Sequence, residues 1–279
     1  MTVLITGSRG KVATTLIPLL REHGIAVRAA SASPDKLTVP AGVERVVCDL
    51  DDPATFPAAL AGVESVFLYA NPHHIEAFLA AAKAAGVQHI TVLSSSSILE
   101  PGADTNAIAA MHSAVERGIE RSGIEATFLR PGAFAGNALG WSWTAKSAGS
   151  VDLPYPEAQS SPIHEADIAE AAFAVLTRPE LRGRAYHLTG PASLTAAQQV
   201  AMLAEATGRP LTVNPVSAEA WKASTAEFMP ATVADALLGY FASHEGHPDA
   251  VTQDVDELTG HPARTFASWA GENADAFRP

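Results

Sequence analysis

Residues 1–20 read MTVLITGSRGKVATTLIPLL, and the fold turns on how their two glycines are read. Val3, Leu4 and Ile5 make a short apolar strand, and the chain from Lys11 onward is helix-like. Gly7 and Gly10 punctuate the passage between them. A helix N-terminus offers unpaired N–H groups and the positive end of the helix dipole, and glycine lets a phosphate come close enough to use both. Residues 7–13, Gly-Ser-Arg-Gly-Lys-Val-Ala, follow a strand and open a helix with GxxGxxA spacing. The small third residue suits close helix–strand packing. Alone such a turn is a weak signal, and the chain beyond it decides.

That chain alternates. Strands are expected over 3–6, 25–30, 44–48, 65–70, 89–93 and 126–130, with helices over 11–23, 75–85 and 106–122. Gly24, Gly86 and Gly123 close these helices, and Asp52 with Pro53 reads as a cap and first helical residue. Strands that are apolar throughout and separated by helices imply a parallel sheet covered on both faces. The fold class is therefore α/β: a doubly wound parallel sheet (Rossmann) over 1–135, with a smaller, mostly helical substrate-binding domain over 136–279. Segments near 151–190 are expected to return to the first domain. Within the second half we expect helices over 168–176 and 195–206, the latter capped by Thr195, strands over 185–188 and 211–216, and broken helices over 221–277.

The composition excludes several functions. A chain of 279 residues can bury a large core without disulfides or metal. Nearly half the residues, 47%, are apolar and only 17% are charged, as in an ordinary enzyme-like globule. A net charge of −12 argues against nucleic acid and anionic membrane, which both need basic patches. The single cysteine, Cys48, lies in an apolar run and reads as a buried, inert thiol. No apolar run approaches membrane length, and the N-terminus enters a strand directly, so the cytoplasm is the expected compartment. The expected partner is a small molecule; the oligomeric state stays open.

The tip of the second strand bears on the cofactor. Residues 31–36 read Ser-Ala-Ser-Pro-Asp-Lys. No acid stands at the immediate tip to grip the ribose of NAD, and no arginine to grip the extra phosphate of NADP. Arg9 and Lys11 are the nearest cations, with Ser31 and Ser33 as hydroxyl donors, and nothing would repel a phosphate. NADP(H) is favoured over NAD(H). His73-His74 and His244-Glu245-Gly246-His247 read as loop histidines rather than a metal site, the second being one residue short of the zinc motif. His164-Glu165-Ala166-Asp167 reads as a helix start, with Asp167 satisfying backbone donors.

Further stretches carry a resemblance. They are Ile5-Thr6-Gly7-Ser8-Arg9-Gly10, Cys48-Asp49-Leu50-Asp51-Asp52, Val92-Leu93-Ser94-Ser95, Val115-Glu116, and 122–132 with Arg130-Pro131-Gly132 at its end. Later come Asp167-Ile168-Ala169, the run 186–191, and 258–266 around Leu258-Thr259-Gly260. Over nearly its whole length the chain resembles the NmrA-like atypical short-chain dehydrogenase/reductases. The resemblance implies NAD(P)H held by Gly7, Ser8, Arg9, Gly10, Lys11 and Val12, with Asp49 and Leu50 near adenine. It places Tyr69, Ala70, Asn71 and Ser94 along the cofactor, and Pro131 to Phe134 near nicotinamide. An arginine is common in that family where this chain has Ala32.

Hydride transfer to a carbonyl leaves an alkoxide, so a proton donor normally helps, by about 10²–10⁴-fold. Registered on Val115-Glu116, the usual tyrosine place is Ile108 and the lysine place is His112, so the Tyr–Lys pair is absent. Candidate catalytic residues are Ser96, which aligns with the family's serine, its neighbour Ser95, and His112. Phe134, Trp141, Trp143 and Tyr155 lie where the family closes its substrate pocket. The expected activity is NAD(P)H-dependent reduction of a quinone, or of a ketone on an aromatic or polyketide-type scaffold, with the substrate itself absorbing charge. The alternative is a non-catalytic NAD(P)-binding redox sensor acting through a protein partner.

Overall fold

The computed structural model describes residues 1–279. In the first half β1 (Thr2–Ile5), β2 (Ala26–Ser31), β3 (Glu44–Val47), β4 (Ser65–Tyr69), β5 (His89–Leu93) and β6 (Glu125–Pro131) alternate with helices. These helices are α1 (Lys11–Glu22), α2 (Phe56–Leu60), α3 (Ile75–Ala85) and α4 (Ala107–Ser122). The second half adds α5 (Ser142–Ala148), β7 (Ser150–Leu153), β8 (Gln159–Ser160), α6 (Glu165–Thr177), β9 (Ala185–Leu188), β10 (Leu194–Thr195) and α7 (Ala196–Thr207). It ends with β11 (Thr212–Pro215), α8 (Ala218–Thr225), α9 (Ala231–Ser243), α10 (Asp254–Thr259) and α11 (Phe266–Glu272). Seven strands form one parallel sheet in the order β3-β2-β1-β4-β5-β6-β9.

Successive side chains of a strand point to opposite faces, which is why these strands are apolar throughout. Val3 and Ile5 join α1 and α6 on one face, where Leu16, Ile17, Ala169 and Val175 pack. Leu4 joins α2, α3 and α4 on the other, with Phe56, Phe78, Leu79 and Val115. The strand expected over 185–188, β9, is the seventh of the sheet, and α10 also returns to it through Val255 and Leu258. A third cluster lies apart, with Val151, Leu153, Val200, Leu203, Phe266, Trp269 and Phe277 around the parallel pair β7 and β11. No helix is long and apolar enough to cross a membrane.

Local signals act largely as read. Asp52 accepts the Ala54 N–H, and Thr195 caps α7 in a reciprocal box with Gln198. Cys48 is buried, and burial, aided by the Asp49 charge, pushes its thiol up to about 12, so it is inert. The helix start at 164–167 stands as read, with the His164 ring accepting the Ala166 N–H, and the backbone donor that Asp167 satisfies comes from outside its own helix. Asp167 has no solvent exposure, accepts the Arg264 backbone N–H at 2.7 Å and pairs with the Arg264 guanidinium. Two residues so far apart could not be paired from spacing alone. Removing one partner of a buried pair strands the other charge. Arg264→Ala is therefore expected to lower unfolding free energy by about 3 kcal/mol in denaturant titration. A change below about 1 kcal/mol would show that the pair is not holding the C-terminal segment.

Candidate active site

Strand order reverses between β1 and β4, and doubly wound sheets open their ligand crevice at that point, beyond the carboxyl ends of the strands. The glycine turn sits there. Gly7 has φ +58°, a left-handed conformation that disfavours side chains, and its carbonyl accepts the Gly10 N–H at 2.8 Å. Gly10 is the N-cap of α1 and supplies no side-chain bond, so the cap residue itself does not close off the first amides of the helix. Ser8 is buried; its hydroxyl donates to the Ile5 carbonyl and accepts the Ala30 N–H, stitching the turn to β2. Arg9 and Lys11 are exposed and form no ion pair.

Tyr69 adds a feature that the sequence reading missed. A Cβ at Gly7 would lie 2.8 Å from its ring, and one at Gly10 would collide with its hydroxyl. The Ala13 amide is directed at the phenol oxygen, and burial pushes the phenol up to about 12. The glycines are thus required by a neighbouring side chain as well as by any phosphate. The short space between Gly10 and β4 could be found only in three dimensions.

Beyond the turn, a cleft of about 270 Å³ is lined by Tyr69, Ala70, Leu93, Ser94, Ser95, His112, Pro131, Gly132 and Phe134. Residues expected from four separate stretches meet here because β4, β5 and β6 are adjacent and α4 runs beside them. Ser95 caps the following turn, accepting the Ser97 N–H, which leaves its own O–H free to donate. Ser96 stands just outside, its Oγ 3.8 Å from where a Gly132 Cβ would be. His112 Nδ1–H donates to the Ile108 carbonyl at 2.9 Å, so Nε2 carries the lone pair. Burial lowers its pKa, more than the Ile108 and Glu116 contacts raise it, which keeps the ring neutral at pH 7. A neutral ring in this tautomer can accept a hydrogen bond at Nε2 and cannot donate one there.

Ser94 uses its hydroxyl elsewhere. It donates to Glu116 at 2.6 Å, and Glu116 takes two bonds from Arg130, at 3.0 and 2.6 Å. Glu116 was visible in sequence only as part of a resemblance. Its role is to tie α4 to the ends of β5 and β6, which sets the cleft width. On the other side of the crevice, Ser31 Oγ accepts the Ser33 N–H, and the Asp49 carboxylate accepts the Asp51 N–H. Leu50 is half-buried against α2 and α3. Asn71 donates to Asp51 at 3.1 Å; bonds from His73 and Asn71 hold the Asp51 carboxyl below its usual range. Trp141, Trp143 and Tyr155 do not line the cleft. Trp141 packs on the third core cluster, and Trp143 is 78% exposed. Aromatic spacing along the chain carried no information about which way those rings turn.

A strand-to-helix glycine turn at the switch point of a parallel sheet, with α1 amides open to an anion, defines a dinucleotide-binding protein. The residues fit the group, since Gly10 puts no capping side chain over the start of α1 and the exposed Arg9 and Lys11 flank it. Residues 7–179 match the model of a family described as NAD(P)H-binding. The chain is 36% identical to (4-alkanoyl-5-oxo-2,5-dihydrofuran-3-yl)methyl phosphate reductase of Streptomyces griseus subsp. griseus, covering 99% of both chains. It is 33% identical to the NAD(P)H azoreductase of Xenophilus azovorans, again over 99% of both. The solved NADPH-dependent quinone oxidoreductase of Escherichia coli superposes with a TM-score of 0.81 at 29% identity, over 97% of this chain and 98% of that one. The chain belongs to the NmrA-like atypical short-chain dehydrogenase/reductase family. It is an NAD(P)H-dependent oxidoreductase.

Proposed function

We propose that this enzyme reduces conjugated acceptors, namely quinones or carbonyls joined to an aromatic or unsaturated system, with NADPH as the preferred donor. The observation that supports this reading is the cleft itself, which presents a serine hydroxyl and a neutral histidine; Ile108, at the place where the resemblance puts a tyrosine acid, is not among its lining residues. The dinucleotide, when bound, would supply a hydride to the acceptor. Gly7 to Val12 would hold the pyrophosphate, and Phe134 and Pro131 would flank the ring. Ser95 would donate a hydrogen bond to the acceptor oxygen and stabilise its developing charge. His112 Nε2 would accept a bond from a ribose or substrate hydroxyl. Conjugation spreads the charge that an isolated alkoxide would concentrate, so a strong acid is not needed. The relatives' names support this class: one is a reductase of an acyl-substituted unsaturated lactone, one of azo compounds and one of quinones.

The test is turnover of NADPH on a quinone and on a simple dialkyl ketone. The quinone is expected to be reduced and the ketone to be poor. Ser95→Ala and His112→Ala are each expected to lower quinone turnover ~10-fold at saturating cofactor, since each removes an orienting contact; Ser96→Ala, outside the cleft, is expected to matter less. A loss beyond ~10³-fold in one variant, with cofactor affinity intact, would mark a dedicated acid and refute the substrate-assisted reading.

Arg9 is exposed, unpaired and on the turn, and we assign it to the extra phosphate of NADPH in place of the arginine missing at Ala32. Arg9→Ala is expected to weaken NADPH severalfold more than NADH in equilibrium titration. Equal losses for both would remove this role.

A further inference from the structure

We propose that Glu100, His244 and Asp249 form a divalent-cation site that joins the serine loop of the cleft to the segment after α9. The three offer one ligand atom each within 4.8 Å of one another. His244 Nε2 lies 3.8 Å from a Glu100 oxygen and 4.0 Å from Asp249 Oδ1. Neither separation is a hydrogen bond, which needs about 2.7–3.2 Å. Ligand atoms around a tetrahedral ion with bonds of about 2.0–2.2 Å stand roughly 3.4 Å apart. Contractions of about half an ångström would bring His244 to that spacing from both carboxylates, whose own oxygens lie within 4.8 Å of each other; Glu100, with no side-chain hydrogen bond of its own, is free to move.

The surroundings orient these groups as metal ligands are oriented. His244 Nδ1–H donates to the Tyr240 carbonyl at 3.0 Å. A carbonyl only accepts, so Nδ1 carries a proton, and Nε2 is the ring nitrogen that faces two carboxylates. Metal-binding histidines commonly have this outer partner. Asp249 Oδ2 accepts the Ser161 N–H at 2.8 Å and the Tyr240 O–H at 3.3 Å, while Oδ1 accepts the Ala250 N–H at 2.8 Å and lies 4.0 Å from His244 Nε2, with a second lone pair left for a ligand bond. Two buried oxygens in the same region lack any partner: Glu245 Oε2 and the hydroxyl of Ser161, a residue with no exposure whose amide holds Asp249. One imidazole and two carboxylates suit zinc or another borderline divalent ion, with a fourth position left to water. The spacing within His244-Glu245-Gly246-His247 concealed this set, because Glu100 is remote in sequence and His247 takes no part. Glu100 follows Ser95 and Ser96 in one loop, so the ion would fix that loop against the C-terminal segment.

The test uses the full-length, untagged protein, stripped with chelator and dialysed. Titration calorimetry with Zn²⁺ is expected to show one site, with a rise in the thermal unfolding midpoint at saturation. His244→Ala and Glu100→Gln should each weaken Zn²⁺ at least ~10-fold. Tyr240→Phe, which removes one bond to Asp249, should weaken it ~10-fold, as outer-partner changes do. His247→Ala and His73→Ala should leave it unchanged. Absence of a Zn²⁺ site in the wild type, or undiminished binding in both His244→Ala and Glu100→Gln, would overturn the proposal. The first result would leave the cluster as an internal charge pair, and the second would place the ion elsewhere.

Discussion

Gly10→Asp is expected to abolish dinucleotide binding, lowering NADPH affinity by at least ~10³-fold, about 4 kcal/mol. Two effects coincide at this position. The new carboxylate would stand at the amides of α1 where an anion would bind, and it would repel a pyrophosphate. It would also collide with the Tyr69 hydroxyl, which occupies the space that a Cβ would take. The second effect could disturb the fold, so the informative background is Tyr69→Ala. That single change is expected to keep dinucleotide binding, because it removes a competitor for the same amides. Gly10→Asp in that background should unfold at the midpoint of Tyr69→Ala alone and still fail to bind. Titration of both variants, beside near-UV and far-UV circular dichroism, measures this. Retained affinity in the folded double variant would show that the phosphates are held somewhere else.

Acid should weaken this protein through His89. The residue has no solvent exposure in the middle of the sheet, with Nε2 3.0 Å from Thr127 Oγ1 and Nδ1 unpartnered. Burial, with the Arg182 charge adding to it, lowers the folded pKa to about 3 from 6.5. The unfolded chain therefore binds a proton in this window that the native chain refuses. Stability from the neutral ring is fully present above pH 6.5 and is lost as pH falls from 6.5 toward about 3. The slope is about 1.4 kcal/mol per pH unit, roughly 4–5 kcal/mol across the window. His89→Leu should flatten that limb of the profile, while Thr127 keeps the Gly183 N–H it already accepts. Denaturant unfolding of both proteins at several values between pH 4 and 7 checks the difference. Parallel profiles would mean that His89 titrates normally.

The sequence by itself determined the layers and the location of the crevice. Its apolar strands and capped helices are local signals, and a period of two or 3.6 residues is legible in one dimension. Val3 to Ile5, Gly7, Gly10 and the alternation behind them were enough for a doubly wound sheet with a phosphate turn at its switch point. Ile108 was legible too, at the place where the resemblance, registered on Val115-Glu116, puts a tyrosine. Tertiary structure decided what each polar side chain is free to do. Ser94, Ser95 and His112 all reach the cleft, yet Ser94 spends its proton on Glu116 and His112 spends its own on Ile108, leaving Ser95 a free donor. The pairing of Asp167 with Arg264 and the crowding of Gly10 by Tyr69 likewise join residues far apart in the chain. Hydrogen bonds and steric contacts act over a few ångströms in space. Sequence distance says little about such separations until the sheet order has brought the strands together.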